Sequence, residues 1–269
     1  MKEVLDKEVL VVAKTYPNQS TKYVETVCTA GITREGEWIR LYPIKFRYLE
    51  GIKQFHTFQW ISVKVIRNSN DDRPESYKVI EESITPGKHL DSQKDIAERK
   101  ALLLPLLRQS MEQIQDDYKK DYYTLAIFKP KDMVGFSISE ESDEWSEEEL
   151  SKLGQMSLFD SPENIPRLLK KVPFSFRCNF RCDDPLCRGE HNIKILSWDF
   201  NYAYFTYLQK YGSSAEAIKM LEKKWMSYFA SDRNGYLMVG TVHHTHSFNI
   251  IGVFSPSKKS PDGYSAPLF

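Results

Sequence analysis

The chain has 269 residues, of which 41% are hydrophobic and 13% aromatic, enough bulk for one large core or two smaller ones. Lys plus Arg number 37 and Asp plus Glu number 37, so the formal net charge is zero and a uniformly basic nucleic-acid-binding domain is excluded. No run approaches the roughly 20 apolar residues that span a bilayer, and no basic start precedes an apolar stretch, so the expectation is a cytoplasmic protein without a membrane partner.

In chain order, residues 8–17, 23–32, 37–44, 58–67 and 76–84 are short β-branched or aromatic runs separated by turn material such as PNQS and TREGE. They predict a β-rich N-terminal sheet or small barrel. Residues 92–118 then take helical spacing, with Ile96, Leu103, Leu107 and Met111 on one face and Pro105 kinking the run. A β pair follows at 123–139. Residues 140–149 (EESDEWSEEE) carry most of a local acidic excess and leave the remainder of the chain basic. Residues 146–154 read as a helix with Ser146 and Glu149 in a capping box, and 155–166 as an exposed connector. A strand at 173–182, helices at 203–212 and 213–231, and strands at 236–243 and 248–256 complete an α+β fold. The expected division is a β-rich module at 1–139, an acidic and exposed connector at 140–165, and a metal-stapled C-terminal α/β part at 166–269. The last strands can also close the sheet begun by the first, which would make the two parts one continuous domain.

The strongest chemical signal is Cys178-x3-Cys182-x4-Cys187-x3-His191. Three cysteines within ten residues of a reducing-compartment protein point to a metal before disulfides. DDPL turns the chain after Cys182, and Gly189 frees it before His191, so Cys182, Cys187 and His191 can converge on one ion. The fourth donor is Cys178 or Cys28. In an extended strand Cys178 and Cys182 lie roughly 13 Å apart, at about 3.3 Å per residue, so Cys178 binds only if the strand breaks before Cys182. The spacing of the last three donors resembles CCCH-type zinc fingers, although the first spacer is shorter than in that family. The resemblance implies Zn2+. A 4Fe-4S cluster held by three thiolates and one imidazole is the alternative.

Two strand faces combine cations with rings or amides. Trp38, Arg40 and Tyr42 alternate on one, followed by Arg47; Arg177 and Arg181 alternate with Ser175 and Asn179 on the other. Such faces can stack bases and hold phosphates of DNA or RNA. The run Gln155-Met156-Ser157-Leu158-Phe159 resembles the bacterial sliding-clamp-binding motif. That resemblance implies a replication-clamp partner, with Gln155 anchoring by hydrogen bonds and Leu158 and Phe159 filling an apolar cleft. His243, His244 and His246 end a strand and are the available acid–base groups. Asp71, Asp72, Glu75 and Lys78 fit a restriction-type nuclease triad poorly, and the alternative for the turn at 73–76 is a salt-bridged surface loop.

Together these readings predict a metal-containing nucleic-acid-binding protein of DNA repair, modification or phage defence, recruited to the sliding clamp. The alternative is a nuclease-, glycosylase- or phosphoesterase-like enzyme that uses His243, His244, His246 or the metal centre.

Overall fold

A computed structural model describes residues 3–20, 24–144, 169–187, 189–242 and 247–260. Five strands close a barrel: β1 (Val4–Lys14), β3 (Val24–Thr33), β4 (Trp38–Ile44), β6 (Ser76–Val79) and β5 (Gln59–Arg67), which pairs back onto β1. All neighbours are antiparallel except β4 and β6. β2 (Asn18–Ser20) extends β3, and β7 (Thr85–His89) extends β5. The expected N-terminal barrel is therefore present. Its inside is filled by Val9, Val11, Ile39, Leu41, Ile61 and Val63, among others. β1 and β3 approach so closely that a Cβ on Gly31 would lie 2.2 Å from Val9 Cγ1. Only glycine fits there without displacing the neighbouring strand.

The run expected to be one kinked helix divides at its proline. α1 (Ile96–Leu103) gives way to a 3-10 turn containing Pro105, then to the short β8 (Leu107–Arg108), before α2 (Met111–Asp121) begins. Proline lacks the N–H that a continuing helix needs.

β8, β9 (Leu125–Phe128), β13 (Tyr236–Thr241) and β14 (Phe248–Phe254) form a four-stranded sheet. One face meets the barrel: Leu125, Ile127, Tyr236 and Met238 pack with Leu10, Val12 and Trp60. The other face carries Ala126, Phe128, Leu237 and Val239 into a second core. That core also holds α3 (Trp198–Tyr211), α4 (Ser214–Ser227) and the inner face of a three-stranded sheet. The small sheet runs β10 (Asp132–Glu140), β11 (Phe174–Arg181), β12 (His191–Lys194). Coverage on both faces is why β1 and β13 read as continuous apolar runs instead of alternating ones. Among the described residues no helix is long and apolar enough to cross a membrane.

Candidate metal centre

The site is assembled where the start of α2 meets the turn between β11 and β12. Ser110 caps α2 by accepting from the Gln113 N–H, and its hydroxyl donates to Asp184. Asp184 in turn shapes the loop: its carboxylate accepts from the Leu186 N–H at 2.8 Å and its carbonyl from the Cys187 N–H at 2.9 Å. These bonds form the turn that DDPL implies, and Gly189, at φ 129°, adopts a backbone that a side chain would strain. The chain then re-enters a strand at His191, whose ring stacks on Phe180 with centroids 5.1 Å apart.

The outcome is a group of four side chains, Glu112, Cys182, Cys187 and His191, whose ligand atoms all lie within 4.8 Å of one another. Cys187 Sγ is 3.5 Å from His191 Nε2, and that nitrogen is 2.9 Å from Glu112 Oε1. A tetrahedral ion with metal–sulfur bonds of about 2.3 Å and metal–nitrogen bonds of about 2.0 Å separates its donors by about 3.3–3.8 Å, so the group has single-ion dimensions. Burial pushes the Cys182 thiol up to about 12, while the Met111 N–H that donates to its Sγ at 3.3 Å opposes the shift. Glu112 Oε2 is buried with no hydrogen-bond partner among the described residues. A buried carboxylate oxygen is costly unless something accepts its charge, and a cation between the four groups would do so. The residues fit a metal ion.

Cys182, Cys187 and His191 thus come together as the spacing predicts, but neither expected fourth donor joins them. Cys178 lies in the continuous part of β11, opposite Phe136 and Ile193, and its thiol is fully buried in the core and pushed up to about 12 by that burial. The strand does not break before Cys182, so the alternation that puts Phe176, Cys178 and Phe180 on the core side keeps Cys178 away from the turn. Cys28 lies in β3, where its sulfur accepts from Arg40 Nη1 at 3.3 Å. Glu112 takes the remaining place. Sequence reasoning passed over it because an acid in the first turn of a helix is ordinary complementation of the helix dipole.

The two strand faces part company. On β4, Trp38 and Arg40 are only 8% and 2% exposed, because the four-stranded sheet covers that side of the barrel. Arg40 is held there by Glu75 at 3.4 Å and by the Thr124 carbonyl and hydroxyl at 3.2 and 3.0 Å. Tyr42 is half-buried and accepts from the Thr26 hydroxyl, and Arg47 pairs with Glu25 at 2.8 Å. This expected base-stacking face is therefore internal. The β11 face is external: Arg177 and Asn179 are half-buried and Arg181 is exposed. The turn at 73–76, for which a salt-bridged surface loop is the alternative, is salt-bridged but only partly at the surface: Asp71, Arg73 and Ser76 are buried, Glu75 is half-buried and Pro74 is exposed. The clamp motif at Gln155, Leu158 and Phe159, and His243, His244 and His246, lie outside the described residues.

Barrel, sandwiched sheet and a cluster able to hold a metal ion define an α+β protein whose two halves share a core. Residues 107–268, more than half of the chain, match the family described as Domain of unknown function (DUF8757), and the chain belongs to that family. Residues 5–105 match Domain of unknown function (DUF8758). No curated protein matches the chain.

Proposed function

We propose that this is a zinc-stapled protein that binds DNA or RNA on the outer face of the β10–β11–β12 sheet. The observation that carries the reading is the composition of that face. Arg177 stands opposite Ser137 on one side and Lys194 on the other, and Asn179 stands opposite Asn192. Ser137, Asn179 and Asn192 hydrogen-bond to one another, with the Ser137 hydroxyl 3.0 Å from both amide nitrogens. Arg177 is steadied by donating through Nη2 to the Asn192 carbonyl at 2.7 Å. The row of guanidinium, ammonium, amide and hydroxyl groups is half-buried at Ser137, Arg177, Asn179 and Lys194 and exposed at Arg181 and Asn192, with Lys194 also paired to Glu141 at 3.2 Å; it is the chemistry that contacts phosphate and sugar. Such contacts work from a local patch even when the whole chain is neutral.

Zinc is favoured over an iron–sulfur cluster by the donor set and its size. Two sulfurs, one imidazole and one carboxylate with ligand atoms within 4.8 Å of one another have the dimensions of a single-ion site, whereas a four-iron cluster needs its ligands spread further apart and prefers thiolates. With four protein donors the ion is closed and structural, and it holds the end of the binding sheet against α2. The clamp-like motif at Gln155, Leu158 and Phe159 adds recruitment to a sliding clamp to the same reading, on the strength of its sequence alone.

The test is fluorescence anisotropy with labelled single-stranded DNA and RNA. Arg177→Glu combined with Arg181→Glu should weaken binding by about tenfold or more and flatten the salt dependence, since each lost phosphate contact removes about one released counterion. Unchanged affinity in the folded double variant rejects the face.

A further inference from the structure

A cavity of about 740 Å³ lies between α1, the start of α3, the end of α4 and the segment that follows β14. Sites that enclose a small organic ligand have this order of size. Its apolar surface comes from Phe58, Ile96, Phe200, Leu221, Trp225 and Phe254, all buried. None of its wall residues belongs to the β10–β11–β12 sheet or to the metal group.

The charge of the wall is one-sided. Arg99, Lys224, Arg233 and Lys259 line the cavity against a single carboxylate, Asp199. Arg99 is only 8% exposed, and its guanidinium lies 3.8 Å from the centroid of the Phe58 ring. It is anchored on a neutral acceptor: Nε donates to the Leu90 carbonyl at 3.1 Å, and Nη2 donates to the same oxygen. Among the described residues Nη1 meets no acceptor, and no carboxylate pairs with the group. Asp91 and Asp95, in the loop before α1, are engaged elsewhere. Asp91 accepts from the Gln93 and Lys94 N–H groups, and Asp95 from the Asp91 N–H and from Lys88. Burial pushes Arg99 down to about 10, and those two carboxylates only oppose the shift. Arg233, which is exposed, repeats the arrangement: Nη1 donates to the Ser255 carbonyl at 2.8 Å, and no described carboxylate pairs with it. A buried charge is costly unless an opposite charge compensates it, and guanidinium groups anchored on carbonyls keep N–H groups for an anion.

We propose that this cavity binds a small organic phosphate, with Arg99 and the cations beside it holding the phosphate group and the apolar wall covering the rest of the molecule. Four cations against one carboxylate favour a dianion, and a phosphate monoester with its second pKa near 6 is one at neutral pH, whereas a carboxylate carries a single charge. The cavity is too large for a bare phosphate ion to fill, and its buried rings and aliphatic side chains offer that ion nothing. Recognition uses none of the residues of the outer sheet face, so the site is independent of nucleic-acid binding there.

The experiment is calorimetric titration of the full chain with phenyl phosphate, inorganic phosphate, benzoate and phenol. Phenyl phosphate should bind saturably at one site. Phenol lacks the charge-assisted hydrogen bonds and inorganic phosphate lacks the apolar part, so each should bind about tenfold or more weakly. Benzoate, with one charge, should also bind more weakly than phenyl phosphate. Arg99→Gln and Arg233→Gln should each lower the affinity for phenyl phosphate by about tenfold or more in proteins of normal melting temperature. The Arg177→Glu, Arg181→Glu double variant should bind phenyl phosphate like the parent, which separates this cavity from the outer sheet face. Absence of saturable phenyl phosphate binding overturns the proposal, as does equally tight binding of phenol, benzoate or inorganic phosphate. Unchanged affinity in both glutamine variants, or lost affinity in the double glutamate variant, overturns it as well. Should Arg99→Gln not fold, Arg233→Gln and the order of the four ligands on the parent protein decide.

Discussion

At the scale of single residues, the metal group shows which donors a sequence can reveal. Cys182, Cys187 and His191 are separated by turn-forming spacers, so their convergence follows from local geometry alone. Glu112 reaches the same point only because α2 packs against the β11–β12 turn through the Ser110–Asp184 bond and the Met111 N–H to sulfur contact. No local pattern encodes that meeting. Cys178 tempts as a ligand by proximity in sequence, yet the period-two alternation of its strand sends it into the core beside Phe136 and Ile193. The assignments separate by metal analysis. Glu112→Ala and Cys187→Ser should each lower the zinc retained after mild chelation, since losing a donor opens the coordination shell. Cys178→Ala should retain a full equivalent and lose about 1 kcal/mol of stability from the small cavity it leaves. Zinc retention that depends on Cys178 and not on Glu112 would reverse the assignment.

At the scale of elements, the strands that misled are those covered on a side the sequence could not foresee. β4 alternates Trp38, Arg40 and Tyr42, a pattern equally suited to a solvent-facing nucleic-acid surface. What turns it inward is β9 and its neighbours, which arrive from much later in the chain and offer Arg40 the Thr124 carbonyl and hydroxyl. Among the described residues no such sheet lies over the outer side of β11, where Arg177 and Asn179 are half-buried and Arg181 is exposed. The barrel was readable because five short runs with turn residues between them leave few other arrangements. α2 has only 11 residues, too few for a stable isolated helix in water, so its order depends on packing, and an ion held by the Glu112, Cys182, Cys187 and His191 cluster at its start would add to it. Removing the ion with a strong chelator should therefore raise amide hydrogen exchange in Met111–Asp121 and in β12 by about tenfold or more. The barrel strands β3 and β5 should keep their protection. Uniform loss of protection throughout the chain would mean that the ion governs global folding, and no change at all would mean that it staples nothing.

At the scale of the whole molecule, barrel and sheet are joined by more than shared apolar surface. Arg73, in the turn leading to β6, is fixed by Asp71 through Nε at 2.8 Å and Nη2 at 2.6 Å, and donates through Nη1 to the Thr241 carbonyl at the end of β13 at 2.9 Å. Ser76 adds a bond to the same carboxylate at 2.6 Å. Burial alone would push the Asp71 carboxyl up, but the Arg73 and Ser76 hydrogen bonds and the guanidinium charge together hold it well below the usual carboxylate range. A carboxyl whose folded pKa is depressed contributes stability that is complete above its unfolded value, about 3.9, and is lost as pH falls below that value through the folded pKa. The parent protein should therefore lose stability more steeply below about pH 4 than Asp71→Asn, which has no such group to protonate. At neutral pH the same variant should be less stable by about 3 kcal/mol, because it leaves the Arg73 guanidinium buried without its counter-charge. Replacing both residues, as Asp71→Leu with Arg73→Met, should recover much of that loss, since no unpaired charge remains between barrel and sheet. Denaturant unfolding of the parent, single and double variants from pH 3 to pH 7 measures both effects. Identical pH slopes in the parent and Asp71→Asn, or a double variant no more stable than the single, would show that the pair does not tie the two halves together.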